Sequence, residues 1–217
     1  MIGVAEAAAQ IVALGASLHA RRLTHGRTGN LSVRTSGGVL ITPTGGSLDA
    51  LAPDALALVD PDDRRHVSGP PPSKEAFLHL AVYRARPSCE AVVHLHSTHA
   101  VALSCHAGTD SADALPPLTA YYAMRVGRLP VLPFHAPGDV RLEPVIEEAA
   151  RDVHALLLAN HGSVAAAADL VAAADVAEEI EETARLWFLL HGHPTRPLSP
   201  AQTACLAVPA SRTGGPA

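Results

Sequence analysis

Apolar residues recur along the chain at two spacings, and each spacing predicts a different kind of element. Recurrence every three or four residues is typical of one face of a helix, whereas short apolar or alternating runs are typical of strands. The first pattern predicts helices over residues 4–25, 73–87, 144–153 and 169–191. The second predicts strands over residues 31–34, 39–41, 56–60, 91–96, 127–134 and 155–159.

The length and composition of the chain favour one domain followed by a short tail. A chain of 217 residues is long enough to bury a substantial core. Because 48% of its residues are hydrophobic but only 3% are aromatic, that core must consist of Ala, Val and Leu. Residues 193–217 are rich in Pro, Ala and Gly. We therefore expect a domain over residues 1–192 and a loosely held C-terminal extension over residues 193–217.

Charge and cysteine content argue against several classes of partner. The formal net charge is -5 and no block of basic residues appears, which argues against a nucleic-acid surface. No apolar run is long enough to span a bilayer, and the N-terminus lacks the basic region of a signal peptide, so we expect no membrane partner. Cys89, Cys105 and Cys205 are odd in number and widely spaced, so they indicate neither a disulfide framework nor a cysteine zinc site. We expect a cytoplasmic protein that acts on a small molecule.

Two histidines near the end of a predicted strand form the first candidate metal site. In an extended chain His94 and His96 project to the same face, where two imidazoles can bind one metal ion. By itself the pair fits a metal site and a solvated strand face about equally well. His161, at the tip of another predicted strand, is the candidate third ligand, although a lone histidine there is more often structural. His99 begins a helix and is expected to turn away from the pair, where it would support the ligands or contact the substrate.

Two loops and the start of one predicted helix contain residues that are suited to binding an anion. Gly29-Asn30 tolerates positive φ, which allows backbone N–H groups to face an anion, and Thr44-Gly45 repeats this character after the next strand. Ser73 is the predicted N-cap of helix 73–87, where free amides bind anions, and Lys74 adds a positive charge at the same end. Standing alone, the Gly29-Asn30 loop fits an ordinary turn better than a binding loop.

Glu75 has two interpretations. In the first turn of a helix a carboxylate favours the helix dipole, and this alone accounts for the residue. Alternatively, the carboxylate points into the site that the histidines define and exchanges protons with a substrate. The spacing of the apolar residues does not separate the two interpretations.

Five short motifs occur in one order along the chain. They are Gly29-Asn30-Leu31-Ser32, Thr42-Pro43-Thr44-Gly45, Pro72-Ser73-Lys74-Glu75, His94-Leu95-His96 and Asn160-His161-Gly162. With these motifs the chain resembles the class II aldolase/adducin family, from its first helix to about Leu190. The resemblance implies an α/β fold in which a central, largely antiparallel sheet is flanked by helices. It also implies a homotetramer of fourfold symmetry with active sites at the subunit interfaces.

The resemblance further implies a divalent metal, usually zinc, with manganese or cobalt as alternatives. Its ligands would be His94, His96 and His161, and Glu75 would be the acid/base group. The residues that would bind the phosphate of the substrate are Gly29, Asn30, Thr44, Gly45, Ser73 and Lys74. One of Tyr121 and Tyr122 would face the site, and the sequence leaves open which.

Within the family, four further segments are similar to the 3-oxo-tetronate 4-phosphate decarboxylases. They are Leu115-Pro116-Pro117-Leu118-Thr119, Val126-Gly127, Pro137-Gly138-Asp139 and the segment from Glu181 to Trp187. The sugar-phosphate aldolases tend to have a second serine where this chain has Lys74, which weakens the aldolase assignment. The decarboxylase branch implies conversion of a phosphorylated sugar acid to dihydroxyacetone phosphate and carbon dioxide through a metal-stabilised enediolate.

Two other functions remain as alternatives. An aldolase of the L-fuculose-phosphate type would use the same residues but would release dihydroxyacetone phosphate and an aldehyde. A non-catalytic, adducin-like binding module would keep the fold without the chemistry. The presence of three histidines, two anion loops and a carboxylate together argues against the binding module.

Overall fold

The computed structural model describes residues 1–206 and contains one sheet of eight strands. The strands are β1 (Asn30–Thr35), β2 (Gly38–Ile41), β3 (Ala57–Val59), β4 (His66–Ser68), β5 (Ala91–Leu95), β6 (Val131–Leu132), β7 (Ala155–Leu158) and β8 (Gly162–Ala167). They lie in the order β4-β3-β2-β1-β5-β8-β7-β6, and among these described strands only β6 and β7 pair in parallel. The expected largely antiparallel sheet is thus confirmed.

Helices cover both faces of the sheet. They are α1 (Val4–Ala20), α2 (Ala76–Ala85), α3 (Thr98–Cys105), α4 (Ala120–Arg125), α5 (Glu143–Asp152), α6 (Leu170–Leu189) and α7 (Pro200–Leu206). Side chains of α1, α3, α4 and α6 pack on one face, and side chains of α2 and α5 pack on the other. The predicted α/β class with flanking helices is therefore confirmed. Of the helices described, none has the length and apolar character needed to cross a membrane.

The alternation of side chains along β5 places its histidine on the face that α2 covers. Val93 and Leu95 belong to the apolar cluster that contains α1 and α6, whereas Val92 belongs to the cluster that contains α2. His94 comes two residues after Val92, so it projects toward α2, and it is fully buried there. Because β5 pairs with β1 on one side and with β8 on the other, both neighbouring strands can hold the ring.

Three strands differ from the sequence prediction, and one of them is β4, since no strand was predicted over residues 66–68. The strand expected over residues 127–134 is reduced to β6, because Pro130 and Pro133 cannot donate hydrogen bonds to a ladder. The sequence analysis did not predict β8, which lies next to β5 near the centre of the sheet. Its residues are mostly glycine and alanine, which have little preference for strands, so tertiary packing rather than local propensity forms this strand.

The described part of the C-terminal extension contains α7. Just before this helix the amide of Leu198 donates a hydrogen bond of 2.9 Å to the carbonyl of Pro117, which ties the extension to the loop that precedes α4. The rest of the predicted loose extension, residues 207–217, lies outside the described residues. The division of the chain at residue 192 stays a prediction.

Candidate active site

Three histidine rings and one carboxylate converge at the end of β5. His94 is the fourth residue of that strand and His96 follows the strand by one position, while His161 directly precedes β8 and Glu75 directly precedes α2. Each residue contributes one potential ligand atom, and these four atoms all lie within 4.8 Å of one another. The fold thus brings the three predicted ligands together and adds Glu75 to the group.

His94 is oriented by a hydrogen bond to the neighbouring strand. Its Nδ1 atom donates to the carbonyl oxygen of Ser163 at 2.8 Å, which leaves Nε2 free to act as a ligand atom. This Nε2 atom lies 3.0 Å from Nε2 of His96 and 3.4 Å from Oε2 of Glu75. Burial alone would lower the pKa of His94, but the Glu75 carboxylate raises it above its usual value. Burial, followed by the charge on His94, lowers the pKa of His96 to about 3, so His96 is neutral at neutral pH.

Two neighbouring residues allow the chain to turn sharply at His161. Asn160 adopts a left-handed φ of 56°, which asparagine tolerates better than most residues. A Cβ atom on Gly162 would lie 2.3 Å from the carbonyl oxygen of Leu95, so glycine is needed where β8 approaches β5. The buried Nε2 atom of His161 lies 3.1 Å from Oε1 of Glu75 but forms no well-aligned hydrogen bond within residues 1–206. Since buried polar atoms are normally paired, this atom is a candidate for metal binding.

Glu75 occupies the N-cap position of α2, and its carboxylate faces the histidines. Its Oε1 atom lies 3.1 Å from Nε2 of His161, and its Oε2 atom accepts a hydrogen bond of 2.8 Å from Nδ2 of Asn30. Burial would raise the pKa of Glu75, but the charges on His94 and His161 hold it well below its usual range. The carboxyl group is therefore ionised beside the rings.

Ser73 does not cap α2, and the sequence prediction of this cap is wrong. The helix begins three residues later, at Ala76, and no side chain of the described residues caps it. Instead, Oγ of Ser73 accepts a hydrogen bond of 3.2 Å from the amide of Glu75 and stabilises a turn ahead of the helix. That turn directs the side chain of Glu75 inward.

The four donors fit a divalent transition metal. Zinc binds imidazole nitrogen and carboxylate oxygen at about 2.0–2.2 Å, so neighbouring ligands of a tetrahedral site lie roughly 3.3–3.5 Å apart. Three separations within the cluster, of 3.0, 3.1 and 3.4 Å, are close to this distance. A set of three imidazoles and one carboxylate suits zinc and similar metals better than calcium or magnesium, which prefer oxygen ligands.

One cavity joins the cluster to the predicted anion loops. Every residue predicted to bind phosphate lines it, as do Glu75, His96 and His161. Gly29 and Gly45 have φ values of +80° and +69°, in the left-handed region that glycine adopts without strain. Arg27 also lines the cavity, and the sequence analysis did not single it out. An arginine two residues before a Gly-Asn loop is a signal that could have found it.

Asn30 has partners that the sequence analysis did not predict. Its Nδ2 atom donates to Glu75, and its Oδ1 atom accepts a hydrogen bond from Nε2 of His79, which is fully buried. A signal for His79 was available, because it follows Glu75 by four residues and so lies on the same side of α2. Asn30 therefore contacts the Glu75 carboxylate, in addition to its predicted role in phosphate binding.

The remaining candidates lie away from this cavity. The Nδ1 atom of His99 lies 2.8 Å from Oε1 of Glu181 on α6. Tyr122 is fully buried in the apolar core, whereas Tyr121 is exposed on α4. Neither tyrosine is among the described residues that line the cavity. That one of the two tyrosines faces the active site stays a prediction.

The sequence of this chain is similar to one protein family and to enzymes of two kinds. The class II aldolase and adducin N-terminal domain family matches residues 9–188. Over 190 residues the chain is 46% identical to the 3-oxo-tetronate 4-phosphate decarboxylase of Haemophilus influenzae, which covers 87% of this chain and 90% of that protein. Over 166 residues it is 34% identical to the L-fuculose phosphate aldolase of Escherichia coli, covering 76% of this chain and 74% of that protein.

A solved structure has the same fold over nearly the whole chain. The crystal structure of YgbL from Klebsiella pneumoniae, suggested to be an aldolase, epimerase or decarboxylase, matches with a TM-score of 0.91 and 40% sequence identity. The match covers 95% of this chain and 100% of that one. Sequence and fold agree, and this chain belongs to the class II aldolase and adducin family.

Proposed function

We propose that this chain is a metal-dependent carbon–carbon lyase that converts a 3-oxo-tetronate 4-phosphate to dihydroxyacetone phosphate and carbon dioxide. The observation that carries the proposal is the convergence of Glu75 with His94, His96 and His161 beside a cavity lined by anion-binding groups. The 46% identity to a decarboxylase of that name supports the choice of substrate.

In this proposal His94, His96 and His161 hold a divalent metal, with zinc as the first candidate and manganese or cobalt as alternatives. The buried Nε2 atom of His161, which lies beside the Glu75 carboxylate and within ligand distance of the other two rings, supports this. Glu75, the fourth donor of the cluster, is assigned to proton transfer rather than to the metal, so three protein ligands leave a position open for the substrate, as in catalytic rather than closed structural sites. When bound, such a cation supplies a Lewis acid that withdraws electrons from the substrate carbonyl.

The phosphate end of the substrate is proposed to bind in the remainder of the cavity. Loops with left-handed glycines, here Gly29 and Gly45, are suited to presenting backbone amides to an anion. The hydroxyl group of Ser73 adds a polar group to the same lining. Lys74 and Arg27 bring two positive charges to it, which favours a substrate that carries a phosphate and a carboxylate.

The reaction follows from the chemistry of a β-keto acid. When the bond between C1 and C2 breaks, its electron pair moves toward the C3 carbonyl, and C1 leaves as carbon dioxide. The enediolate that remains must receive a proton at C2, which completes the hydroxymethyl group of dihydroxyacetone phosphate. The proton comes from solvent, and Glu75, which is ionised in the resting site, lies beside the rings and is held by Asn30, is the group proposed to take it up and pass it to C2.

Aldol cleavage of a sugar 1-phosphate is the second candidate, and the 34% identity to an L-fuculose phosphate aldolase supports it. Both substrates contain a phosphorylated methylene group, a ketone and a hydroxylated carbon in the same order. They differ in the group that leaves the hydroxylated carbon, which is carbon dioxide in one case and an aldehyde in the other. The same protein groups would serve both reactions, so the identity of the released product, carbon dioxide or an aldehyde, distinguishes the two candidates.

Offering the two substrates separately to purified, zinc-loaded protein tests the proposal. We expect equal amounts of carbon dioxide and dihydroxyacetone phosphate from enzymatically generated 3-oxo-tetronate 4-phosphate. We expect no aldehyde from L-fuculose 1-phosphate. Aldehyde release from the sugar phosphate, without carbon dioxide from the sugar acid, would overturn the proposal in favour of the aldolase. Glu75→Gln protein purified in the same way controls for contaminating enzymes.

A homotetramer with active sites at the subunit interfaces completes the proposal. Tyr121, Met124 and Phe134 are large apolar side chains that are exposed on the single chain, which supports the presence of a packing surface. Sedimentation analysis should give a mass four times that of the chain. A monomer that retains full activity would contradict this assembly.

A further inference from the structure

A run of buried hydrogen bonds connects Glu75, at the start of α2, to Tyr83, near the end of that helix, by way of β1. Along α2, Glu75, His79 and Tyr83 follow one another at intervals of four residues, or about 6 Å of helix. Along β1, Asn30 and Ser32 are two residues apart, or roughly 7 Å of strand. Because the two spacings nearly match, side chains from the helix and from the strand can alternate along one line and contact each other in turn.

The contacts follow this match. The hydroxyl group of Tyr83 lies 2.8 Å from Oγ of Ser32, which lies 2.7 Å from Nδ1 of His79. The Nε2 atom of His79 contacts Oδ1 of Asn30, and Nδ2 of Asn30 lies 2.8 Å from Oε2 of Glu75. His79 and Ser32 are completely buried, and Tyr83 and Asn30 are nearly so. The run is therefore shielded from water except at Glu75.

The contact of Asn30 with Glu75 sets the direction of every hydrogen bond in the run. Nδ2 of Asn30, which only donates, lies against Oε2 of Glu75, so Oδ1 faces His79. Since Oδ1 only accepts, Nε2 of His79 carries the proton, and Nδ1 of the neutral ring accepts from Ser32. Burial, followed by the charge on His94, lowers the pKa of His79 to about 3, which keeps the ring neutral.

We propose that His79 is a positioning residue for Glu75 and acts through the side chain of Asn30. The N–H group at Nε2 of His79 fixes the orientation of the Asn30 amide, and that amide holds one carboxylate oxygen while the other faces His161. Without His79, the buried Oδ1 atom of Asn30 loses its hydrogen-bond donor, so the amide is no longer held in one orientation. An amide that turns toward another donor no longer holds the Glu75 carboxylate beside the rings. The inference rests on the proposed function only for the role of Glu75 in turnover.

The direction of the hydrogen bonds can be measured without substrate. In ¹⁵N-labelled protein, long-range proton–nitrogen NMR should show that the His79 ring is protonated at Nε2 and not at Nδ1. The spectrum of His79→Gln protein identifies the signals of this ring. A ring protonated at Nδ1, or at both nitrogens, at neutral pH would overturn the proposal whether or not the chain is a decarboxylase.

Kinetics of three variants test the consequence for Glu75. In His79→Leu we expect kcat to fall about 10- to 100-fold, as for a displacement of a catalytic group by about 1 Å, while KM and metal content stay near the wild-type values. His79→Gln, whose side-chain amide can again donate to Asn30, should recover most of kcat. His66→Leu, at an exposed histidine of β4, is the matched control and should match the wild type.

The outcomes separate the two proposals. Equal kcat values in wild-type and His79→Leu protein, or an equal loss in the Leu and Gln variants, would overturn the positioning role. Wild-type protein that has the expected ring tautomer but releases no carbon dioxide would instead reject the proposed function.

Discussion

The Nδ1 atom of His94 donates a hydrogen bond of 2.8 Å to the carbonyl oxygen of Ser163. That carbonyl lies in β8, which His161 directly precedes. The strand that follows one candidate ligand therefore also orients another. A proton held at Nδ1 directs Nε2 of His94 at the cluster, where a metal ion would bind in place of the second proton that the Glu75 carboxylate favours.

Removal of either of two imidazoles should abolish tight metal binding. We expect His94→Ala and His161→Ala to bind a divalent metal more than about 100-fold more weakly than the wild type, because losing even a supporting hydrogen bond costs about 10- to 100-fold. Elemental analysis and competition with a chelating dye measure this. His66→Ala, at an exposed histidine, is the control. Full metal occupancy in both site variants would contradict the three-histidine site.

Glu75→Gln should separate binding from turnover. The amide keeps the size of the side chain but cannot deliver a proton, so we expect kcat to fall by about 10²- to 10⁴-fold. Metal content and substrate binding should be retained, as measured by elemental analysis and by titration calorimetry. Glu148→Gln on the surface of α5 is the matched control. Unchanged turnover in Glu75→Gln would mean that Glu75 only stabilises its helix.

Loss of a positive charge from the cavity should weaken substrate binding. A hydrogen bond to a charged group contributes about 1.5–3 kcal/mol, so Lys74→Ala and Arg27→Ala should each raise KM by roughly 10- to 100-fold. Inorganic phosphate should also become a weaker inhibitor of both variants. Arg185→Ala, which removes a surface arginine paired with Glu182, controls for a general effect of charge. If KM is unchanged in both cavity variants, phosphate does not bind where we propose.

Acid should destabilise wild-type protein more steeply than His79→Gln protein. Because burial lowers the pKa of His79 from 6.5 to about 3, the unfolded chain binds this proton at a higher pH than the folded chain does. Titration of His79 therefore leaves the free energy of unfolding unchanged above pH 6.5. As the pH falls from 6.5 toward 3, it lowers that free energy by about 1.4 kcal/mol per pH unit. Urea unfolding of metal-free protein at pH 7 and at pH 5 measures the difference. Equal declines in the two proteins would argue against a buried neutral ring.

The common face of His94 and His96 could be predicted because side chains alternate along a strand. The meeting of this pair with His161 could not, since it depends on the pairing of β5 with β8. Local composition does not predict β8, because its glycine and alanine residues have little strand preference. Gly162 is needed there because β8 approaches the backbone of β5 closely. The family resemblance supplied what the local pattern lacked.

The buried hydrogen bonds that hold Glu75 could be predicted only in part from the sequence, which places His79 on the same side of α2 as Glu75 but does not show its partners. The apolar periodicity of α2 identifies the helix but not the depth at which His79 lies. Its partners, Asn30 and Ser32, are 49 and 47 positions away along the chain, and the packing of α2 on β1 brings them together. Ser73 was assigned as a cap because a serine before a helix usually has that role, whereas here a turn intervenes.

The fate of the carboxyl carbon tests the central claim most directly. 3-Oxo-tetronate 4-phosphate labelled with ¹³C at C1 would be converted in D₂O by the zinc-loaded protein and followed by NMR. The account predicts that the label appears in carbon dioxide and bicarbonate, and that each turnover adds one deuterium to the hydroxymethyl carbon of dihydroxyacetone phosphate. Label that remains in a phosphorylated product, or dihydroxyacetone phosphate that forms only from a sugar phosphate together with an aldehyde, would contradict it.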